Sequence, residues 1–202
     1  DLKGKTLAMD ALTTGFAFVL YRMLDNAGLK PDDYKMVSVG ATPHRWEAVQ
    51  KGEHAGTLLI EPFTGQARAG GYTILENSQQ TFKNYPGQMF GAMRRWANKN
   101  RPSMVSFIQG YLDALDWILN PSNKAEAGTI LGTNMPQMPE KAVAPALDKL
   151  LSPQTGLVPM GEVDMKGLET VLEVRSQYAP QGNQLTDTDR YLDLSFYKEA
   201  VA

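Results

Sequence analysis

The chain opens on a change of hydrophobic period. Thr6 to Met9 is a short apolar run bounded by a polar residue, the pattern of a buried strand. From Phe16 onward the apolar positions Phe16, Val19, Leu20, Met23, Leu24 and Ala27 recur at the i, i+3, i+4 spacing of an amphipathic helix. Gly28 follows as a residue that can take positive φ and close the helix. The alternation then repeats. Tyr34 to Val39 predicts a second strand, ending at Gly40. Thr42 is a natural N-cap and Pro43 a natural first helical residue, so a short helix follows, with Trp46 and Val49 on one side and Lys51-Gly52 at its end. Ala55 to Ile60 predicts a third strand, stopped at Pro62, which cannot donate to a ladder. A short helix from Phe63 to Ala69 leads through Gly70-Gly71 to a fourth strand, Tyr72 to Leu75. Gln88 to Met93 is a candidate for one more.

Beyond this point the pattern is helical. Pro102 opens a long helix with Met104, Val105, Ile108, Tyr111, Leu112, Leu115 and Leu119 on one broad face. Asn120-Pro121 reads as a cap and a first helical residue, and the helix it opens runs to Leu131-Gly132. Pro139 starts a third, running to about Leu151. Met165, Leu168, Val171, Leu172 and Tyr178 mark a fourth, and Tyr191 to Val201 a short C-terminal piece. The fold class is therefore α/β: a mostly parallel sheet with flanking helices, followed by a helical C-terminal region.

Ligands of open α/β sheets bind at the carboxyl ends of the strands. Here those ends are Asp10–Gly15, Gly40–Arg45 and Glu61–Phe63, and the binding candidates are Asp10, Thr13, Thr14, Gly15, Thr42, Arg45, Glu61, Pro62 and Phe63. Several have a second reading. Thr13 or Thr14 has the alternative role of only capping the helix whose period begins at Phe16. Arg45 falls in a helical first turn, where the macrodipole disfavours a cation, so it needs an anionic partner. A solute's sulfonate, phosphate or carboxylate would serve, but so would Glu47, Glu61 or Asp10, and an internal ion pair is the favoured reading. Glu61 is either a hydrogen-bond acceptor for a cationic or amide-bearing solute, with Phe63 as an apolar wall, or an exposed turn carboxylate. Trp46, Trp96 and Trp117 are expected in the core, His44 on the surface. Tyr85-Pro86-Gly87 is a hinge candidate.

Composition narrows the function classes. The 202 residues allow one large domain or two small lobes, and a hydrophobic content of 43% suffices for a core. The net charge is −2 and no basic block occurs, which argues against nucleic acid as a partner. No apolar run approaches the roughly 20 residues of a membrane span. Without cysteine there is no disulfide or thiolate chemistry, and His44 and His54 are not in a metal-binding spacing, so no metal and no cofactor is expected. No nucleophile stands beside His44, and neither a Walker A pattern nor G-x-G-x-x-G occurs, so no catalytic residue is assigned.

Thr42-Pro-His-Arg-Trp46, Leu58-Leu-Ile-Glu-Pro-Phe63, Arg95-Trp-Ala97 and Arg190-Tyr-Leu-Asp-Leu-Ser-Phe-Tyr197, in that order, resemble the solute-binding proteins of ABC importers. The branch is the one serving nitrate, sulfonates such as taurine, and thiamine-type pyrimidines. The resemblance implies a periplasmic-binding-protein-like clamp of type II, non-catalytic, extracytoplasmic, which holds a small polar solute between two lobes and presents it to a membrane permease. Asp1-Leu-Lys-Gly-Lys5 resembles the start of the second lobe. Residues 1–100 are then expected to form that α/β lobe, and residues 101–202 a helical region returning to a first lobe whose opening part lies outside the chain. A processed or truncated chain of this kind is expected to self-associate or to retain a separate N-terminal piece. Two other functions stay open. One is a ligand-sensing domain of a regulator. The other is a thiamine-pyrimidine biosynthesis enzyme, whose cysteine-rich run this chain lacks.

Overall fold

The computed structural model describes residues 2–136, 138–179 and 184–202. Two compact units divide the chain, residues 1–86 with 165–186 and residues 87–164 with 187–202.

The first unit contains β1 (Lys5–Met9), α1 (Gly15–Asn26), β2 (Tyr34–Ser38), α2 (Thr42–Gln50), β3 (Gly56–Thr57), α3 (Phe63–Ala69) and α4 (Ser78–Thr81). The second contains α5 (Arg94–Lys99), α6 (Arg101–Leu119), α7 (Lys124–Asn134) and α8 (Glu140–Leu150). The chain then returns to the first unit for α9 (Met165–Tyr178) and ends in the second with α10 (Ser195–Ala200).

The sheet is parallel, in the order β2-β1-β3. β1 pairs with β2 from Lys5↔Tyr34 to Met9↔Ser38, and with β3 at Leu7↔Gly56 and Ala8↔Thr57. As the central strand, β1 is buried at Leu7, Ala8 and Met9, which is why it reads as an uninterrupted apolar run rather than an alternating one.

α1 starts and stops where its end residues dictate. Thr14 is the N-cap and accepts the Ala17 N–H at 3.2 Å. At the other end Gly28 sits at φ 80° while the Leu29 N–H reaches the Leu24 carbonyl and the Gly28 N–H that of Asp25, a Schellman closure that favours glycine. The helix buries two faces. Ala17, Leu20 and Leu24 pack with Leu7 and Met9 of the sheet. Phe18, Val19 and Met23 pack with Phe82 and with Val174 of α9. Arg22 fastens the same contact by donating to Glu173 at 2.8 Å and Gln177 at 2.6 Å.

Three expected strands differ in the structure. The third is paired only at Gly56 and Thr57. Past that point the Leu58 carbonyl accepts from Arg45 and the Ile60 carbonyl from the Phe63 and Thr64 N–H groups, so neither serves a ladder. Tyr72–Leu75 and Gln88–Met93 form no strand. Tyr72 instead stacks edge-on against Trp46, with ring centroids 4.9 Å apart. α2 begins one residue earlier than expected: Ala41 is its N-cap, Thr42 its first residue and Pro43 its second, which moves Arg45 to the fourth position.

In the second unit Val105 of α6 and Ala97 of α5 pack against Phe196 of α10. The Arg101 guanidinium stands 4.5 Å from the Phe196 ring centre and pairs with Glu199. Trp46 is buried as expected, but Trp96 and Trp117 are not: they are 51% and 36% exposed.

Candidate functional site

All nine residues singled out in the sequence belong to the first unit and lie at or beyond the carboxyl ends of its parallel strands. The main chain first draws two of these ends together. The Met9 carbonyl accepts from both Val39 N–H (2.7 Å) and Gly40 N–H (3.2 Å), and the Ser38 hydroxyl donates to the Asp10 carbonyl at 2.9 Å. Gly40 then turns the chain at φ 107°, a left-handed conformation in which a side chain is strained.

Arg45 joins the third end. Its side chain is 1% exposed. Nη1 donates to the Gly40 carbonyl at 3.4 Å and faces Asp10 Oδ1 at 3.6 Å, while Nη2 donates to Thr42 Oγ1 at 2.9 Å and to the Leu58 carbonyl at 3.2 Å. One guanidinium therefore holds the segments that follow β1, β2 and β3, the geometry for which its planar fork of donors is suited. Its Nε is buried and makes no hydrogen bond. Burial pushes the Arg45 pKa below its ordinary value, and the Asp10 carboxylate acts in the opposite sense.

The favoured expectation of an internal partner for Arg45 therefore holds, with Asp10 as the anion. Thr42 corrects another expectation. Its hydroxyl does not cap the helix but accepts from the guanidinium. Thr14 caps α1, and its hydroxyl also donates to Asp10 Oδ1 at 2.8 Å, a contact outside the two expected readings. Thr13 and Gly15 are exposed beside it. In that first turn the backbone N–H groups have no intrahelical acceptor.

The stretch 61–63 follows Leu58 into α3. Glu61 Oε2 accepts the Gly65 N–H at 3.2 Å, Pro62 is buried, and Phe63 is half-buried as the first residue of α3. His44 is exposed, as expected. The sequence reading missed Ser38 and the Leu58 carbonyl. A hydroxyl at the end of a strand was the one available signal for Ser38; a backbone carbonyl leaves none. Tyr85, expected only as part of a hinge, places its hydroxyl 3.5 Å from the Gly15 carbonyl.

Among the described residues no group of acidic, histidine or cysteine side chains is arranged to hold a metal ion, and no helix is long and apolar enough to cross a membrane.

Comparison with known proteins places this geometry in context. The model of the NMT1-like family matches residues 1–132. A solved structure from Bordetella bronchiseptica RB50 is similar at 19% identity and a TM-score of 0.73, over 99% of this chain and 64% of that one. A second, the putative sulfonate ABC transporter periplasmic sulfonate-binding protein of Methylobacillus flagellatus KT, is similar at 18% identity and a TM-score of 0.62, over 100% of this chain and 60% of that one. The fold is shared with both, and the chain spans less than two thirds of the length of either. No curated protein matches the sequence.

Proposed function

Since the chain belongs to the NMT1-like family, we propose that it is the extracytoplasmic solute-binding component of an ABC-type importer. It captures a small polar solute at the carboxyl edge of its parallel sheet and hands it to a membrane permease, without chemical turnover. One observation carries this reading. Three strand-to-helix segments meet at one edge and are held there by a single buried arginine, so that Asp10, Thr13 and Gly15 stand at a preformed rim. Preorganisation of this kind is what a binding site requires, because ordering loops at the moment of binding lowers affinity. The likeness in fold to a periplasmic sulfonate-binding protein supports the same reading. The domain organisation proposed with it makes residues 1–100 the α/β lobe and residues 101–202 the helical region, with Tyr85-Pro86-Gly87 as the hinge. What supports the hinge is a change of compact unit between Pro86 and Gly87; α9, within residues 101–202, is grouped with the first unit.

The test is thermal unfolding of the full chain against a panel of small solutes: nitrate, taurine, alkanesulfonates, aromatic carboxylates, aminopyrimidines and polyamines. A solute that binds only the native state, at about 100 times its Kd, adds about 2.7 kcal/mol. A shift confined to one chemical class is the expected outcome. Folded protein that shifts with none of them rules the reading out.

A further inference from the structure

We infer that the solute taken at this edge carries a hydrogen-bond donor, an ammonium, guanidinium or amide N–H group, and that Asp10 accepts it. The inference rests on the solute-binding reading above and names the chemistry of that site.

A buried guanidinium already facing two carbonyls, a hydroxyl and a carboxylate is not available to an incoming anion. Turning it outward would strip the Gly40 and Leu58 carbonyls of their donor and leave Asp10 without its counter-charge, and unpaired buried polar groups are costly. Arg45 is thus a tie within the protein rather than a contact for solute.

Asp10 is different. Its side chain is 26% exposed. Both of its side-chain contacts, the Thr14 hydroxyl and the Arg45 guanidinium, fall on Oδ1. Among the described residues no donor reaches Oδ2. The carboxylate is therefore oriented through one oxygen and keeps acceptor capacity on the other. The charges agree with this. Arg45 and Asp10 offset each other, so the pair presents no net positive charge to an incoming anion. An anionic solute would meet the Asp10 carboxylate while the Arg45 guanidinium is held by its internal partners. A donor-bearing solute finds an oriented acceptor, and a charge-assisted hydrogen bond is about twice as strong as a neutral one. The competing arrangement seats an anion on the Thr13 hydroxyl and the first-turn N–H groups of α1.

Isothermal titration of the full chain separates the two, with benzamidine and agmatine as donor probes and ethanesulfonate and nitrate as anion probes. A donor probe is expected to bind, and Asp10→Asn to weaken it by about tenfold or more. Because Asp10→Asn also removes the counter-charge of Arg45, its fold is checked by circular dichroism. Asp10→Glu is run beside it: this variant keeps the charge, displaces the carboxylate and should weaken the same probe. Binding of ethanesulfonate or nitrate that Asp10→Asn leaves unchanged or tightens overturns the inference while the solute-binding reading stands. Donor binding that neither variant alters overturns the role of Asp10. If none of the four probes binds, the inference falls, and the wider thermal panel decides separately whether the solute-binding reading falls with it.

Discussion

Arg45 shows how one side chain can organise an edge of a sheet. A methionine in its place would keep much of the aliphatic volume but remove the whole hydrogen-bonding fork. Asp10 would lose its ion pair, and the carbonyls of Gly40 and Leu58 would lose their donor. Breaking a buried pair by removing one partner costs about 3–5 kcal/mol, and the partial exposure of Asp10 places this case at the lower end, about 3 kcal/mol. Urea unfolding of Arg45→Met measures it. A loss under about 1 kcal/mol, the scale of an ordinary surface ion pair, would show that the guanidinium does not hold the three segments together.

At the scale of elements, α1 is the pivot of the first unit. It is covered on one side by the sheet and on the other by α9, which arrives from far along the chain. Val174 is fully buried at that second contact, against Phe18, Val19 and Met23. Val174→Ala removes two methyl groups from a packed interior. It should lower the stability of the first unit by about 2 kcal/mol, from the transfer term plus a small cavity. Amide hydrogen exchange along α1 should quicken as well. Unchanged exchange in α1, with the protein otherwise folded, would mean that α9 is not part of the same cooperative unit.

At the scale of the whole molecule, half-buried phenols of the first unit set a limit on stability at alkaline pH. Tyr21, Tyr34, Tyr85 and Tyr178 all lie in the first unit, and burial raises the pKa of each. For Tyr34 the value reaches about 12. A folded-state pKa above the unfolded value of about 10 means that the unfolded chain releases its proton first. The stabilising contribution is therefore complete below about pH 10 and is lost as pH rises through about 12. Tyrosinate absorbance of the native protein should include a late component near pH 12 that Tyr34→Phe removes, and the urea midpoint should fall over the same interval. Native tyrosines that all titrate near pH 10 would contradict the burial of these rings.

The sequence alone determined what depends on neighbours in the chain. Period and end residues placed α1 between a cap at Thr13 or Thr14 and Gly28, because capping hydroxyls and a positive φ are local requirements; the structure selects Thr14. The alternation of apolar runs and helices marked a parallel sheet and the carboxyl ends of its strands, and so most of the residues at the candidate site. Charge and helix position together showed that Arg45 needed an anion. Tertiary structure decided which anion, since Asp10 and Arg45 meet only when β1 and β2 pair side by side. It also decided that Tyr72–Leu75 and Gln88–Met93 are not strands. An apolar run states that a segment is fit for a ladder, but pairing requires a neighbour with free backbone groups, and that neighbour is set by distant parts of the chain. The return of α9 to α1 belongs to the same class: nothing near Val174 in sequence names Phe18 as the surface it covers.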